Sequence, residues 1–194
     1  KMLSLEESLK ILKETKALIE GHFILSSGLH SPKYVQCAQL MSKPSKAAQI
    51  CQSLAKKIKI ELNNIDLILS PAMGGIVVGY EIGKLLGVET IFSERVNGKF
   101  QLRRDFKIKQ NTNVLIVEDV ITTGKSSIEC SNLVKVNKAN IVGYACIIDR
   151  SDGKTEINDK IISQIKLNIP TYKKENLPKE LISIDPVKPG SRNL

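Results

Sequence analysis

The stretch Val114-Leu115-Ile116-Val117-Glu118-Asp119-Val120-Ile121-Thr122-Thr123-Gly124-Lys125-Ser126-Ser127 decides how this chain is read. Its first four residues are a continuous apolar run rich in β-branched side chains, the pattern of a strand buried on both faces of a parallel sheet. Two carboxylates, Glu118 and Asp119, follow at once. Hydroxyls, one glycine and the opening of a helix come next, so acids and oxyanion donors stand side by side.

Ligands of parallel sheets gather at the carboxyl ends of the strands. Glu118 and Asp119 are therefore expected to accept hydrogen bonds from sugar hydroxyls or to stand beside a cation. Thr122, Thr123 and Ser126 offer hydroxyl donors, Gly124 lets the backbone approach closely, and a helix opening near Lys125 favours a phosphate. A ribose 5-phosphate satisfies both halves. The triplet Gly124-Lys125-Ser126 invites a Walker A reading, which fails because that pattern needs a glycine where this chain has Asp119. A plainer alternative is a turn and a helix capped by Thr122 or Thr123 with no ligand. It leaves the adjacent acids unexplained.

Outward from this stretch, helical and extended patterns alternate. Apolar spacing predicts helices over residues 4–19, closed by Gly21, and from Pro44 through Leu62, then over 75–86 and 126–136. Strands are expected over 65–70, 88–93, 114–117 and 141–148. Alternation of this kind argues for an α/β fold, a central parallel sheet flanked by helices. The 194 residues, 42% hydrophobic, suffice for one core, and a single domain over 1–194 is expected.

One interruption lies at residues 92–111. Val96-Asn97-Gly98-Lys99 carries a hairpin signal flanked by Phe100 and Leu102, which predicts a protruding basic β-ribbon. It bears Arg95, Lys99, Arg103, Arg104, Lys107 and Lys109. A solvated hairpin whose cations serve only solubility is the bland alternative.

Two more segments carry chemistry. Gly74 and Gly75 in Ser70-Pro71-Ala72-Met73-Gly74-Gly75 suit close backbone approach to a ligand, or else helix packing after a strand. Ile147-Ile148-Asp149-Arg150 closes a strand with a guanidinium, which suits bidentate recognition of a planar carboxylate. Alone, such an arginine is more often a surface charge.

The run from Val117 to Ser127 resembles the phosphoribosyl diphosphate (PRPP) signature of the type I phosphoribosyltransferases, and the chain as a whole is most similar to the orotate-specific family among them. The similarity extends to residues 21–34, to the loop at 70–75, to Arg150, and to the tail with Ile169-Pro170-Thr171-Tyr172, Leu177-Pro178 and Lys188-Pro189-Gly190-Ser191-Arg192. The resemblance implies Mg²⁺-dependent transfer of ribose 5-phosphate from PRPP to orotate, in UMP synthesis. It implies an N-terminal hood over the base (residues 1–44) and a flexible basic loop (92–111), usually closing over a neighbouring subunit's diphosphate in a homodimer.

By the same resemblance PRPP would contact Ala72, Met73, Gly74, Gly75, Arg95, Lys99, Arg103, Arg104, Glu118, Asp119, Val120, Ile121, Thr122, Thr123, Gly124, Lys125 and Ser126. Arg95, Lys99 and Asp119 would be catalytic. Orotate would lie against Ser26, Ser27, Gly28, Lys33, Tyr34, Thr122 and Arg150, and Mg²⁺ would be held mainly by the diphosphate and ribose hydroxyls, near Glu118 and Asp119. The pattern departs at Ser26, where many relatives have lysine, which leaves Lys33 or His30 to supply that charge. Met73 and Gly74 stand where others have tyrosine and lysine. His22 and His30 are expected to be solvated loop residues.

The net charge of +9 could signal nucleic-acid binding. With its lysines scattered and only four tyrosines and four phenylalanines, it reads instead as steering for a polyanionic small substrate, with no nucleic acid as partner. No apolar run reaches bilayer length, and Ser4-Leu5-Glu6-Glu7 reads as a helix cap rather than a signal peptide. Cys37, Cys51, Cys130 and Cys146 lack a C-x-x-C pair and read as reduced thiols of a cytoplasmic protein. Two rival functions share the signature: transfer to another base such as a purine, and a noncatalytic PRPP-responsive regulator that binds nucleic acid.

Overall fold

A computed structural model of the chain describes residues 1–189; the tail motif residues Gly190, Ser191 and Arg192 lie outside the described residues. The chain opens with helix α1 (Leu5–Glu14), whose N-cap Ser4 and Glu7 exchange a reciprocal capping box. The helix is shorter than its apolar spacing predicts. Lys16 takes a left-handed φ of 60°, and the Lys16 and Ala17 N–H groups turn back to the Lys13 and Leu12 carbonyls. That is a Schellman stop with lysine in the place usually held by glycine, and it releases the chain into a strand well before Gly21.

Strands β1 (Leu18–Ile24) and β2 (His30–Val35) form an antiparallel hairpin where sequence suggested a loop. Helices α2 (Cys37–Met41) and α3 (Pro44–Glu61) follow, then β3 (Leu67–Pro71), α4 (Gly74–Leu86), β4 (Glu89–Val96) and β5 (Lys99–Leu102). The chain continues through β6 (Asn113–Ile121), α5 (Lys125–Val136), β7 (Asn140–Asp149), β8 (Ile161–Lys166), a 3-10 turn (Lys174–Asn176) and α6 (Lys179–Ile182).

Among the described residues the main sheet has the order β5-β4-β3-β6-β7-β8, parallel throughout except for the β4–β5 hairpin. From β3 the chain crosses outward to β4, and from β6 it crosses the other way to β7. The point where direction reverses therefore lies between β3 and β6, the place where such sheets leave a crevice for ligands.

Alternation along β6 sends Leu115 and Val117 into the core beneath α3 and α4, while Val114 and Ile116 enter the core on the α5 side. Both faces are covered, which explains the unbroken apolar run. The strand does not stop at the acids. It pairs with β3 only as far as Ile116, yet with β7 through Ile121, so Glu118 and Asp119 stand on an overhang beside the end of β3.

Candidate active site

Adjacent residues on a strand face opposite ways, and the two acids do so here. Glu118 lies toward α5, where Ser127 Oγ donates to its Oε2 at 2.8 Å. Asp119 lies toward α4: a Cβ on Gly74 would come within 2.6 Å of Asp119 Oδ2. Gly74 is thus required by the acid beside it, a reason the sequence alone did not supply. Burial pushes Glu118 up to about 7, reinforced by the Asp119 charge and opposed by the Ser127 hydrogen bond and the Arg95 charge. Burial raises Asp119 as well, against the pull of the Val120 N–H, which donates to Oδ1 at 2.8 Å. Cys37 Sγ reaches the Asp119 carbonyl at 3.9 Å.

Beyond the overhang the chain makes the turn expected of an oxyanion cradle. Thr122 and Thr123 are exposed, Ser126 is half-buried and Lys125 points to solvent. The N-cap of α5 is Gly124, at φ 82°, rather than either threonine, and no side chain caps the helix. The first-turn N–H groups are left for a ligand, apart from Lys125 N, which meets Thr123 Oγ1 at 3.3 Å. The turn is buttressed from behind: Thr155 Oγ1 donates to the Thr123 carbonyl, and a side chain on Gly124 would strike Ile157.

Across the crevice the loop after β3 runs through Ala72, Met73, Gly74 and Gly75 with a cis peptide between Ala72 and Met73. The Ala72 N–H donates to the Ser93 carbonyl of β4 at 2.8 Å, which fixes the loop to the strand that carries the ribbon. Met73 is exposed and Gly75 is packed against Pro71 and the Val117 carbonyl.

Arg150 follows β7 directly, its N–H bonded to the Ile121 carbonyl at 2.8 Å. Its guanidinium is partly desolvated, which lowers its basicity, and its buried Nε has no hydrogen-bond partner. Tyr34 of the β1–β2 hairpin lies close enough to oppose that shift. Ser26, Ser27 and Gly28 form the exposed tip of the hairpin, with Gly28 at φ 80°. Lys33 stands 4.0 Å from Glu20 on the neighbouring strand.

His22 and His30 are buried, contrary to the expectation of solvated loop residues. His22 Nε2 and His30 Nδ1 are 2.6 Å apart, and His22 Nδ1 is 2.8 Å from the Ile184 carbonyl. A carbonyl only accepts, so Nδ1 of His22 carries hydrogen and, in the neutral pair, His30 Nδ1 donates to His22. The tail supplies the reason for burial: Tyr172 exchanges backbone hydrogen bonds with His30, and Val187 with His22 and Ile24. Tyr172 thus borders β2, and Val187 borders β1.

The basic ribbon forms with Asn97 and Gly98 both at positive φ, as a type I′ turn requires. From Glu94 to Val96, β4 runs beyond the last residue of β3 and pairs only with β5. Arg95 makes a two-pronged ion pair with Glu129 of α5 at 2.8 and 3.2 Å, and Arg104 a similar pair with Glu94. Lys99 and Arg103 are exposed and pair with no carboxylate among the described residues. Sequence reading missed Ser127, Glu129 and the tail residues around the histidines. A serine in a helix and a glutamate 34 positions from its partner carry no local signal.

All four cysteines are free and buried. Burial raises every thiol, Cys51 and Cys130 to about 12, so none is poised as a nucleophile.

An acid pair at the switch point, an uncapped helix turn and a glycine loop stand around one crevice, an arrangement that suits a sugar phosphate. The family described as "Phosphoribosyl transferase domain" matches residues 38–179, which leaves the β1–β2 hairpin outside the match. Orotate phosphoribosyltransferase of Methylorubrum extorquens (strain PA1) is 46% identical over 190 residues, covering 97% of each chain. That of Parvibaculum lavamentivorans is 44% identical over 190 residues, covering 97% of this chain and 98% of the relative. The crystal structure of orotate phosphoribosyltransferase from Aeropyrum pernix superposes with a TM-score of 0.71 at 23% identity, covering 81% of this chain and 92% of that one. The chain belongs to the orotate phosphoribosyltransferase family.

Proposed function

We propose that this protein transfers ribose 5-phosphate from PRPP to orotate, releasing pyrophosphate and forming orotidine 5-phosphate for UMP synthesis. The observation that carries the choice of base is Arg150, whose partly buried guanidinium has an unpartnered Nε and lies between the cradle strand and Tyr34 of the hood. An unpaired, desolvated cation at that place suits a planar anionic base. Thr122, Lys33, Tyr34 and the tip at Ser26, Ser27 and Gly28 complete the base contacts in this reading.

The 5-phosphate takes the 122–126 turn, the ribose hydroxyls lie on Glu118 and Asp119, and the diphosphate faces Ala72, Met73, Gly74, Gly75 and the cations of the ribbon. Bond cleavage leaves a cation-like ribose over the two carboxylates and negative charge on the departing diphosphate. The site therefore works by positioning and electrostatic stabilisation. Asp119 is fixed by the Val120 N–H and steadies the sugar, while Arg95 and Lys99 answer the leaving group.

Among the described residues no group of three or more His, Cys, Asp or Glu side chains could hold a metal. Two carboxylates on opposite faces of one strand fit an ion held mainly by substrate oxygens, with Glu118 and Asp119 nearby. Mg²⁺ bound in this way supplies charge neutralisation on the diphosphate.

A homodimer belongs to this reading. Met73, Val77 and Tyr80 lie along one face of α4 at 81%, 52% and 66% exposure, an apolar stripe beside the diphosphate loop that suits a second copy. Lys99, Arg103, Lys107 and Lys109 are the exposed ribbon cations left to reach a neighbouring subunit. No helix among the described residues is long and apolar enough to cross a membrane.

The test is loss of orotate absorbance with PRPP and Mg²⁺, run beside adenine, guanine and hypoxanthine. Turnover with orotate alone, abolished by Arg150→Ala, supports the reading; transfer to a purine overturns it. Light scattering of the wild type and Tyr80→Glu checks the dimer.

A further inference from the structure

Arg95 is the ribbon cation tied to the cradle helix. Alternation along β4 turns Ser93 and Arg95 toward α5, where Ser93 Oγ meets Cys130 Sγ at 3.2 Å and Arg95 meets Glu129. Three constraints hold the guanidinium: the fork to Glu129, a bond from Nη1 to the Gly98 carbonyl at 2.7 Å, and the Phe100 ring, whose centre lies 4.1 Å from Cζ. These contacts occupy three of the five guanidinium N–H donors and leave two for an anion. Arg104 differs, because its partner Glu94 belongs to the ribbon itself and gives it no link to the helix.

The same stretch of β4 also holds the loop after β3. Ser93 accepts from the Ala72 N–H of the diphosphate loop, and Arg95 stands two residues further along the strand, about 7 Å on at the usual rise. Glu118, on the α5 side of β6, feels the Arg95 charge. Glu129 lies one turn into the helix that begins at the phosphate cradle.

We infer that Glu129 is the positioning residue for Arg95, locking its guanidinium to the cradle helix so that its two spare donors face the diphosphate of its own subunit. This rests on the proposed transferase activity and on Arg95 acting at the leaving group. An arginine on an unsupported hairpin would have to be ordered in each turnover; one already fixed by a carboxylate fork is ready when charge develops.

The test is a four-enzyme cycle of wild type, Glu129→Ala, Arg95→Ala and the double variant, assayed with saturating PRPP and orotate. Glu129→Ala should lower kcat about tenfold with the orotate KM within about twofold, and should cost nothing more once Arg95 is alanine. Glu129→Gln, which keeps one acceptor oxygen, should recover part of the loss, and thermal unfolding of each variant reports folding separately. Equal losses from Glu129→Ala in both Arg95 backgrounds, or an unchanged or raised kcat, would overturn the inference. Full turnover by Arg95→Ala alone would remove the role of Arg95 itself. Absence of orotate turnover in the wild type would instead strike the transferase reading.

Discussion

The proposed phosphate cradle lies within one strand, turn and helix, residues 117–127, whereas the proposed hood takes its hairpin from β1 and β2 and its flanks from Tyr172 and Val187 near the other end of the described chain. The first is held by neighbours in sequence and by Thr155 and Ile157 behind it. The second exists only when distant segments meet. Changes in the cradle should therefore disable sugar binding without disturbing the hood, and changes in the hood should weaken base binding while PRPP still binds.

Among changes in the cradle the largest effect is expected from Asp119→Asn, which in the proposed reaction removes charge opposite the developing ribose cation. Its kcat/KM for PRPP should fall about a hundredfold or more, roughly 3 kcal/mol, with the thermal unfolding midpoint undiminished because burial already disfavours the charge. Steady-state kinetics and calorimetry on one preparation check both halves.

Glu118 sharpens the comparison through pH. Its native value of about 7 lies above the ordinary 4.5, so the folded state holds this proton more tightly than the unfolded state does. Ionisation of Glu118 therefore costs stability as pH rises from about 4.5 through 7, and the cost is full above 7. Glu118→Gln should be more stable than wild type by about 2–3 kcal/mol at pH 8, with the gap closing toward pH 4.5, in urea unfolding. Its PRPP affinity should be poor at every pH, whereas that of the wild type should weaken as pH falls below 7.

Gly124→Ala places a Cβ at a left-handed φ and against Ile157. About 2 kcal/mol of stability should be lost, with the PRPP KM raised and hydrogen exchange in the hood unchanged. Smallest is the mirror experiment on the other region. His22→Ala strips the buried His30 of its partner and should cost about 1–2 kcal/mol. Here the orotate KM should rise severalfold while PRPP binding, followed by calorimetry, stays the same; an equal loss for both substrates would erase the distinction between the regions.

What could be read from sequence follows the same division. An apolar run, two acids, hydroxyls and a glycine announce a strand, a turn and a helix because the residues that shape them are neighbours in sequence, and Asn97-Gly98 announces the ribbon turn for the same reason. The end of α1 was hidden because lysine, not glycine, occupies its left-handed stop. The burial of His22 and His30 depends on Ile184, Tyr172 and Val187, which lie far away in sequence and carry no pattern that points to the hairpin. The Arg95–Glu129 fork was illegible likewise: charge shows in a sequence, but partnership across 34 residues does not.

The flanking of the hood by the tail has a temporal side. In order of synthesis, every residue of the crevice between β3 and β6, with its buttress at Thr155 and Ile157, precedes Tyr172 and Val187, which flank the β1–β2 hairpin. Under the proposed assignment, the residues that grip the activated sugar are therefore made before the segments that close the shelter for its acceptor.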